Sequence, residues 1–153
     1  MNDKIKSIIS EFWNRAGMNK MNDFEIKTVE IAADGSLNVN IFAPDVNLLI
    51  GESGQNIKAF EIILGLLIKK QLENIRAIHF DINNYRDSKN ETLRELAKKA
   101  ARRARFYKQP VALEAMSAYD RRIIHTELAT HPDIKTESTG EGKNRRVVVK
   151  YIS

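Results

Sequence analysis

Residues 48–60 read LLIGESGQNIKAF, with Gly51 and Gly54 three apart between two apolar segments. Glycine loses more backbone freedom on ordering than any other residue, so a helix does not run cheaply through a pair of them. The chain must therefore break here. A short helix is predicted at 46–50, with Pro44 ending what precedes it and Asp45 as its N-cap. A longer helix is predicted at 54–72, apolar at Ile57, Phe60, Ile63, Leu64, Leu67 and Ile68. A Gly-x-x-Gly joint serves either as a tight turn between helices or as a loop against which a phosphate backbone can lie, because no side chain intervenes. The helix after it opens with free N–H groups and a positive dipole end, which favour phosphate. Glu52, between the glycines, opposes it.

The flanks narrow the choice. Residues 2–17 predict a helix, since Ile5, Ile8, Ile9, Phe12 and Trp13 form one stripe and Gly17 is a stop. Residues 24–32 predict a strand in which Phe24 and Ile26, then Val29 and Ile31, change phase, the sign of a bulge. Asp34-Gly35 is a hairpin turn. It leads into 36–42, where Leu37, Val39 and Ile41 alternate with Ser36, Asn38 and Asn40. A third strand at 75–82 puts Ile78, Phe80 and Ile82 on one face and His79 on the other. The order is helix, strand, strand, helix, helix, strand. It closes near residue 83, and the polar, turn-rich stretch 83–88 marks a domain boundary between 1–83 and 88–153.

The second half reads helix, strand, helix, strand, strand. A helix at 88–106 buries Leu93, Leu96, Ala97, Ala100, Ala101 and Ala104 and spreads Arg94, Lys98, Lys99, Arg102, Arg103 and Arg105 around the rest. Pro110 ends it, and 110–115 is extended. Ser117 to Asp120 has the spacing of a capping box, opening a helix at 118–129 that His131-Pro132 closes. Strands at 134–138 and 144–152 flank Gly140-Glu141-Gly142. Tyr107 is a candidate for stacking on bases, whereas Tyr119 reads as core.

Charge separates the halves. Residues 1–85 carry nine Lys/Arg against eleven Asp/Glu, a net of −2, and residues 86–153 carry sixteen against nine, a net of +7. The basic half is where a polyanion would bind. Several chemistries are excluded. There is no cysteine, hence no disulfide framework or thiolate site, which fits a reducing cytosol. His79, His125 and His131 lack metal-ligand spacing, and neither a P-loop nor a nucleophile elbow is present. No catalytic residue, metal or cofactor is expected. The longest apolar run, seven residues at 62–68, is far short of a membrane span, and the N-terminus is not a signal peptide.

The element order around GESG, with Leu-Ile before the loop and Ile57 after it, resembles a type II KH domain. That resemblance implies a loop that clamps single-stranded nucleic acid and assigns Gly51, Glu52, Ser53, Gly54 and Lys58 to it. KH domains that bind well commonly carry Lys or Arg at the two middle positions. Glu52 and Ser53 depart from this, and Lys58 offsets the carboxylate one turn later.

The stretches ETLRELAKKAARRAR, MSAYDRRIIH and TESTGEGKNRRVVVKYI closely resemble the R-three-H domain of bacterial Jag proteins, over residues 91–152. The domain is named for an arginine, three residues and a histidine, which here match Arg121 and His125. Its implied fold is a three-stranded sheet with two helices. Arg121 and His125, with Arg122, Lys143, Arg145 and Arg146 around them, are then the expected RNA contacts. A type II KH half followed by R-three-H is the Jag arrangement. The fold class expected is α+β, as α-β-β-α-α-β followed by α-β-α-β-β. Many members carry a further domain and linker before the KH half, and neither is expected here. The resemblance implies a cytoplasmic bacterial protein that binds single-stranded RNA, with single-stranded DNA as the related ligand. It further implies a link to cell elongation or envelope processes, a homodimer or a heterodimer with another KH protein, no membrane insertion and no enzymatic activity. The competing expectation is an adaptor whose KH half docks a protein, with RNA incidental.

Overall fold

The computed structural model describes residues 1–18, 24–44 and 46–153. It divides into two units, Met1–Tyr85 and Arg86–Ser153. The class is α+β, a KH-like unit followed by a small three-stranded unit, each with its own apolar core.

In the first unit, helix α1 (Asn2–Arg15) buries Ile5, Ile8, Ile9 and Trp13. Strands β1 (Glu25–Ile31) and β2 (Ser36–Phe42) form an antiparallel hairpin. Its register shifts between Ile26 and Thr28, the bulge that the change of phase predicted. Asp34 holds the turn, its carboxylate accepting from Ser36 N–H at 2.9 Å and Ser36 Oγ at 2.7 Å. A parallel partner cannot be reached by a tight turn. Helices α2 (Asn47–Ile50) and α3 (Gln55–Gln71) supply the crossover to β3 (Ala77–Ile82), which pairs parallel with β2 in the order β1-β2-β3. Leu37, Val39, Ile41, Phe80 and Ile82 form the sheet side of the core. Trp13 stacks on Phe24 with centroids 4.3 Å apart, and Phe60 lies against both Trp13 and Phe80.

In the second unit, helix α4 (Tyr85–Tyr107, its first residue still in the first unit) lays Leu93, Ala97, Ala100, Ala101 and Ala104 on the core. Strands β4 (Val111–Ala115), β5 (Ile134–Thr139) and β6 (Arg146–Tyr151) form an antiparallel sheet in the order β4-β6-β5. Helix α5 (Ala118–Leu128) adds Ile124 and Leu128, and Ser117 Oγ caps it by accepting from Asp120 N–H at 3.2 Å.

Several expectations shift. Helix α4 starts at Tyr85, not at 88. The polar stretch before it is a tight turn, Asn83 and Asn84 both having positive φ, and the Asn83 amide clasps Ala43 through its N–H (3.0 Å) and C=O (2.8 Å). Ile63 and Leu96, assigned to buried stripes, are exposed. Each lies at the margin of its stripe, where spacing alone does not fix the rotation. Tyr119 is exposed as well, its hydroxyl donating to Asn90 Oδ1 at 3.3 Å. The N-cap assigned to Asp45 lies outside the described residues.

Candidate nucleic-acid interface

Helix α5 places Arg121 and His125 one turn apart on one face, beside Ile124 and Leu128, which are buried. Strand β5 runs past that face. Thr136 and Ser138 are two residues apart, so both hydroxyls point the same way. His125 joins them, Nδ1 to Thr136 Oγ1 at 2.7 Å and Nε2 to Ser138 Oγ at 2.8 Å. A neutral imidazole has one donor and one acceptor nitrogen, and both are used here.

Burial, and after it the charge of Arg121, pushes the His125 imidazole below its ordinary 6.5. A base depressed in the folded state supports the fold above its unfolded value. That support is lost as pH falls through the folded one, so it is present at neutral pH and fades in mild acid. The His125 ring protons, followed by NMR, should titrate below 6.5, and Arg121→Ala should raise the midpoint. A midpoint unmoved by Arg121→Ala would leave burial as the sole cause.

Arg121 Nε is buried without an acceptor among the described residues. The guanidinium is a rigid fork of donors that is costly to leave unpaired when shielded from water. Asp120, the neighbouring buried carboxylate, is met instead by Lys89 Nζ at 3.0 Å.

The other expected contacts are dispersed. Arg122 is exposed on α5. Lys143 is exposed in the 3-10 turn Gly142–Asn144. Arg145 Nη1 donates to Gly140 C=O at 3.1 Å and Arg146 Nε to Asn144 C=O at 3.4 Å, so both brace that turn. Arg146 pairs opposite Thr139, one residue past Ser138, and so faces away from His125 across the sheet. The fold thus unites Arg121 and His125 with Thr136 and Ser138. Sequence reasoning missed the two hydroxyl residues. Their signal was the spacing of polar residues within a strand that follows a histidine-bearing helix.

In the first unit, Gly51, Ser53 and Gly54 all have positive φ, at 70°, 53° and 82°. A Cβ on Gly51 would lie 2.6 Å from Asn56 Cγ, and one on Gly54 would lie 2.9 Å from Tyr85 Cε1. Asn56 Nδ2 in turn donates to Leu48 C=O at 2.6 Å. The room left by the missing side chains is therefore taken up largely by the protein's own Asn56 and Tyr85. Glu52, Ser53 and Lys58 are exposed around this joint.

Among the described residues no cluster of His, Asp or Glu is arranged to hold a metal, and no helix is long and apolar enough to cross a membrane.

Residues 91–151 match the family model of the R-three-H domain. The chain is 31% identical over 149 residues to the RNA-binding protein KhpB of Clostridium symbiosum, covering 97% of this chain and 65% of that protein. It is 37% identical over 106 residues to RNA-binding protein KhpB of Bacillus subtilis, covering 68% of this chain and 51% of the relative. For the protein of the same name from Lactiplantibacillus plantarum the identity is 31% over 102 residues, covering 67% and 32%. The chain thus spans between about a third and two thirds of the length of these relatives. It contains an R-three-H domain preceded by a KH-like unit, the arrangement for which it resembles Jag proteins.

Proposed function

We propose that the protein binds single-stranded RNA, without catalysing a reaction on it, at the edge formed by Arg121, His125, Thr136 and Ser138. One observation carries the reading. Arg121 has a shielded donor with no acceptor among the described residues, beside a histidine fixed by two hydroxyls. A phosphate or a base edge supplies the missing acceptor. The names of the KhpB relatives and the +7 charge of residues 86–153 support it. Arg122, Lys143, Arg145 and Arg146 add long-range attraction. The loop at Gly51, Glu52, Ser53, Gly54 and Lys58 is a weaker contact, because Glu52 repels phosphate and Asn56 and Tyr85 fill the glycine faces. Single-stranded DNA offers the same phosphates and is the natural competitor. The Jag resemblance supports a role in the bacterial cytoplasm, in cell elongation or envelope processes.

The test is a titration of a fluorescein-labelled 20-nucleotide oligouridine at several salt concentrations. The log–log slope should be about −0.7 per phosphate contact. Arg121→Ala should weaken binding roughly tenfold. No binding by the wild type at low salt would sink the reading.

A second reading has its own observation. Helix α3 exposes Ile62, Ile63 and Leu66, with Leu66 68% accessible, beside Ile78 of the edge strand β3. This apolar face suits docking of a second KH-type unit, in the same or another protein. Its mark is a mass above one chain in sedimentation without RNA.

A further inference from the structure

The cations of α4 from Arg94 onward fall into two groups. Arg94 pairs with Glu91 at 3.2 Å, Lys98 pairs with Glu95 at 3.0 Å, and both reach towards Glu127 of α5. Arg105 forks onto Asp133, whose carboxyl it holds at about 2, and its Nη2 lies 2.9 Å from His131 Nδ1. These three mark the flank of α4 turned towards α5 and the start of β5. Lys99, Arg102 and Arg103 lie about a third of a turn further round. They are exposed or partly so, and among the described residues they have no ion pair or side-chain hydrogen bond.

The same outward face ends in aromatic rings. Phe106 lies one turn beyond Arg102 and Arg103, on their side of the helix. It is 80% exposed, and its neighbour Tyr107 is 62% exposed. The two rings meet edge to face, with centroids 4.9 Å apart and planes at 85°. Each therefore fixes the other while leaving ring surface open. A phenylalanine has no polar group to justify such exposure, and neither ring belongs to the core of this unit. Lys108 ends the helix with φ 54° and lays its Nζ 3.4 Å from the Tyr151 ring, so the chain turns away and leaves the pair uncovered.

We propose that this outer face of α4, comprising Lys99, Arg102, Arg103, Phe106 and Tyr107, is a second binding site for single-stranded RNA. Bases stack on the two rings while the three cations hold the adjoining phosphates. The site rests on the RNA-binding reading above but uses a different face from the Arg121–His125 edge. Charge selects the occupant. Residues 96–108 contain no carboxylate, and Glu95, the acid one turn earlier, is already held by Lys98. The negative dipole end of α4 would otherwise disfavour an anion, so the side-chain cations are required. Stacking on exposed rings next to arginines is how sequence-tolerant single-strand binding is commonly achieved.

The experiment uses the full chain and two fluorescein-labelled 20-mers, oligouridine and an abasic strand with the same phosphates. Phe106→Ala with Tyr107→Ala should weaken oligouridine binding about tenfold and leave the abasic strand nearly unchanged. Arg102→Gln with Arg103→Gln should weaken both strands and lower the salt slope by about 1.4, from roughly 0.7 per contact. If the aromatic variant melts early, Phe106→Leu with Tyr107→Leu keeps the bulk, and the same selective loss is expected. If Arg121→Ala weakens binding but these variants do not, the second site falls and the RNA reading stands. If the wild type binds no RNA at low salt, both fall. Equal loss on both strands by the aromatic variant rules out stacking. So does a wild-type dimer that the aromatic variant dissolves with RNA affinity intact, which would make the face a protein contact.

Discussion

Phe80→Ala should unfold residues 1–85 at a temperature far below the wild type while residues 86–153 remain folded. Phe80 is fully buried on β3 and packs on Phe60, with centroids 6.4 Å apart. Truncation removes the transfer energy of the ring and leaves a cavity, together about 3–5 kcal/mol. That is a large share of the roughly 5–15 kcal/mol that holds a small domain together. Its backbone N–H also donates to Glu61 Oε2 at 3.3 Å, so the loss disturbs the junction of β3 with α3. The two cores have no residue in common. Two-dimensional NMR should therefore lose dispersed signals from 1–85 and keep those from 86–153. A single transition that lowers both sets together would show that the units do not fold independently.

The second large effect is expected at Gly140, in the connection from β5 to β6. Its φ is 87°, and a Cβ there would lie 2.8 Å from Asn144 C=O oxygen and 3.3 Å from Arg145 Cα. These are backbone atoms, so no rotamer change relieves the contact. Gly140→Ala should cost about 2–3 kcal/mol, from the left-handed conformation and the crowding together. On the RNA-binding reading proposed above, the damage reaches binding as well. Gly140 C=O accepts from Arg145, and the turn it closes carries Lys143 and leads into Arg146. Gly142 is the control. It has φ 53°, but a Cβ there would meet nothing within 4 Å, so Gly142→Ala should cost only about 1 kcal/mol. Equal losses in chemical denaturation would show that crowding at Gly140 is unimportant.

The sequence made the element order legible because each element carried its own period. The stripe of α1, the alternation in β2 and the glycine break before α3 were all written locally. The bulge in β1 was legible for the same reason, as a change of phase. What escaped depended on contacts between distant residues. Asn83 looked like linker because its clasp on Ala43 joins positions forty apart. Thr136 and Ser138 looked like ordinary strand residues until β5 was laid beside α5. Ile63 and Leu96 sit where a small helix rotation decides between core and solvent, and spacing cannot supply that angle. The glycines at 51 and 54 were recognised as necessary, but the sequence could not say that Asn56 and Tyr85 are what they make room for. Likewise the arginines of α4 all looked alike. Only pairing with Glu91, Glu127 and Asp133 sorted the neutralised ones from Lys99, Arg102 and Arg103.

The first sheet has two unlike borders. The outer strand β1 carries Glu25, Lys27, Thr28 and Glu30 along an exposed margin, the kind of charge that discourages further strands from adding. The opposite strand β3 offers only His79 and Asp81 as polar residues and runs beside the apolar flank of α3. A sheet guarded on one side and receptive on the other can recruit a neighbour once and then has no equivalent border left. Were two copies to associate through it, the pair would be closed, and the exposed apolar helix would not become the start of a fibre.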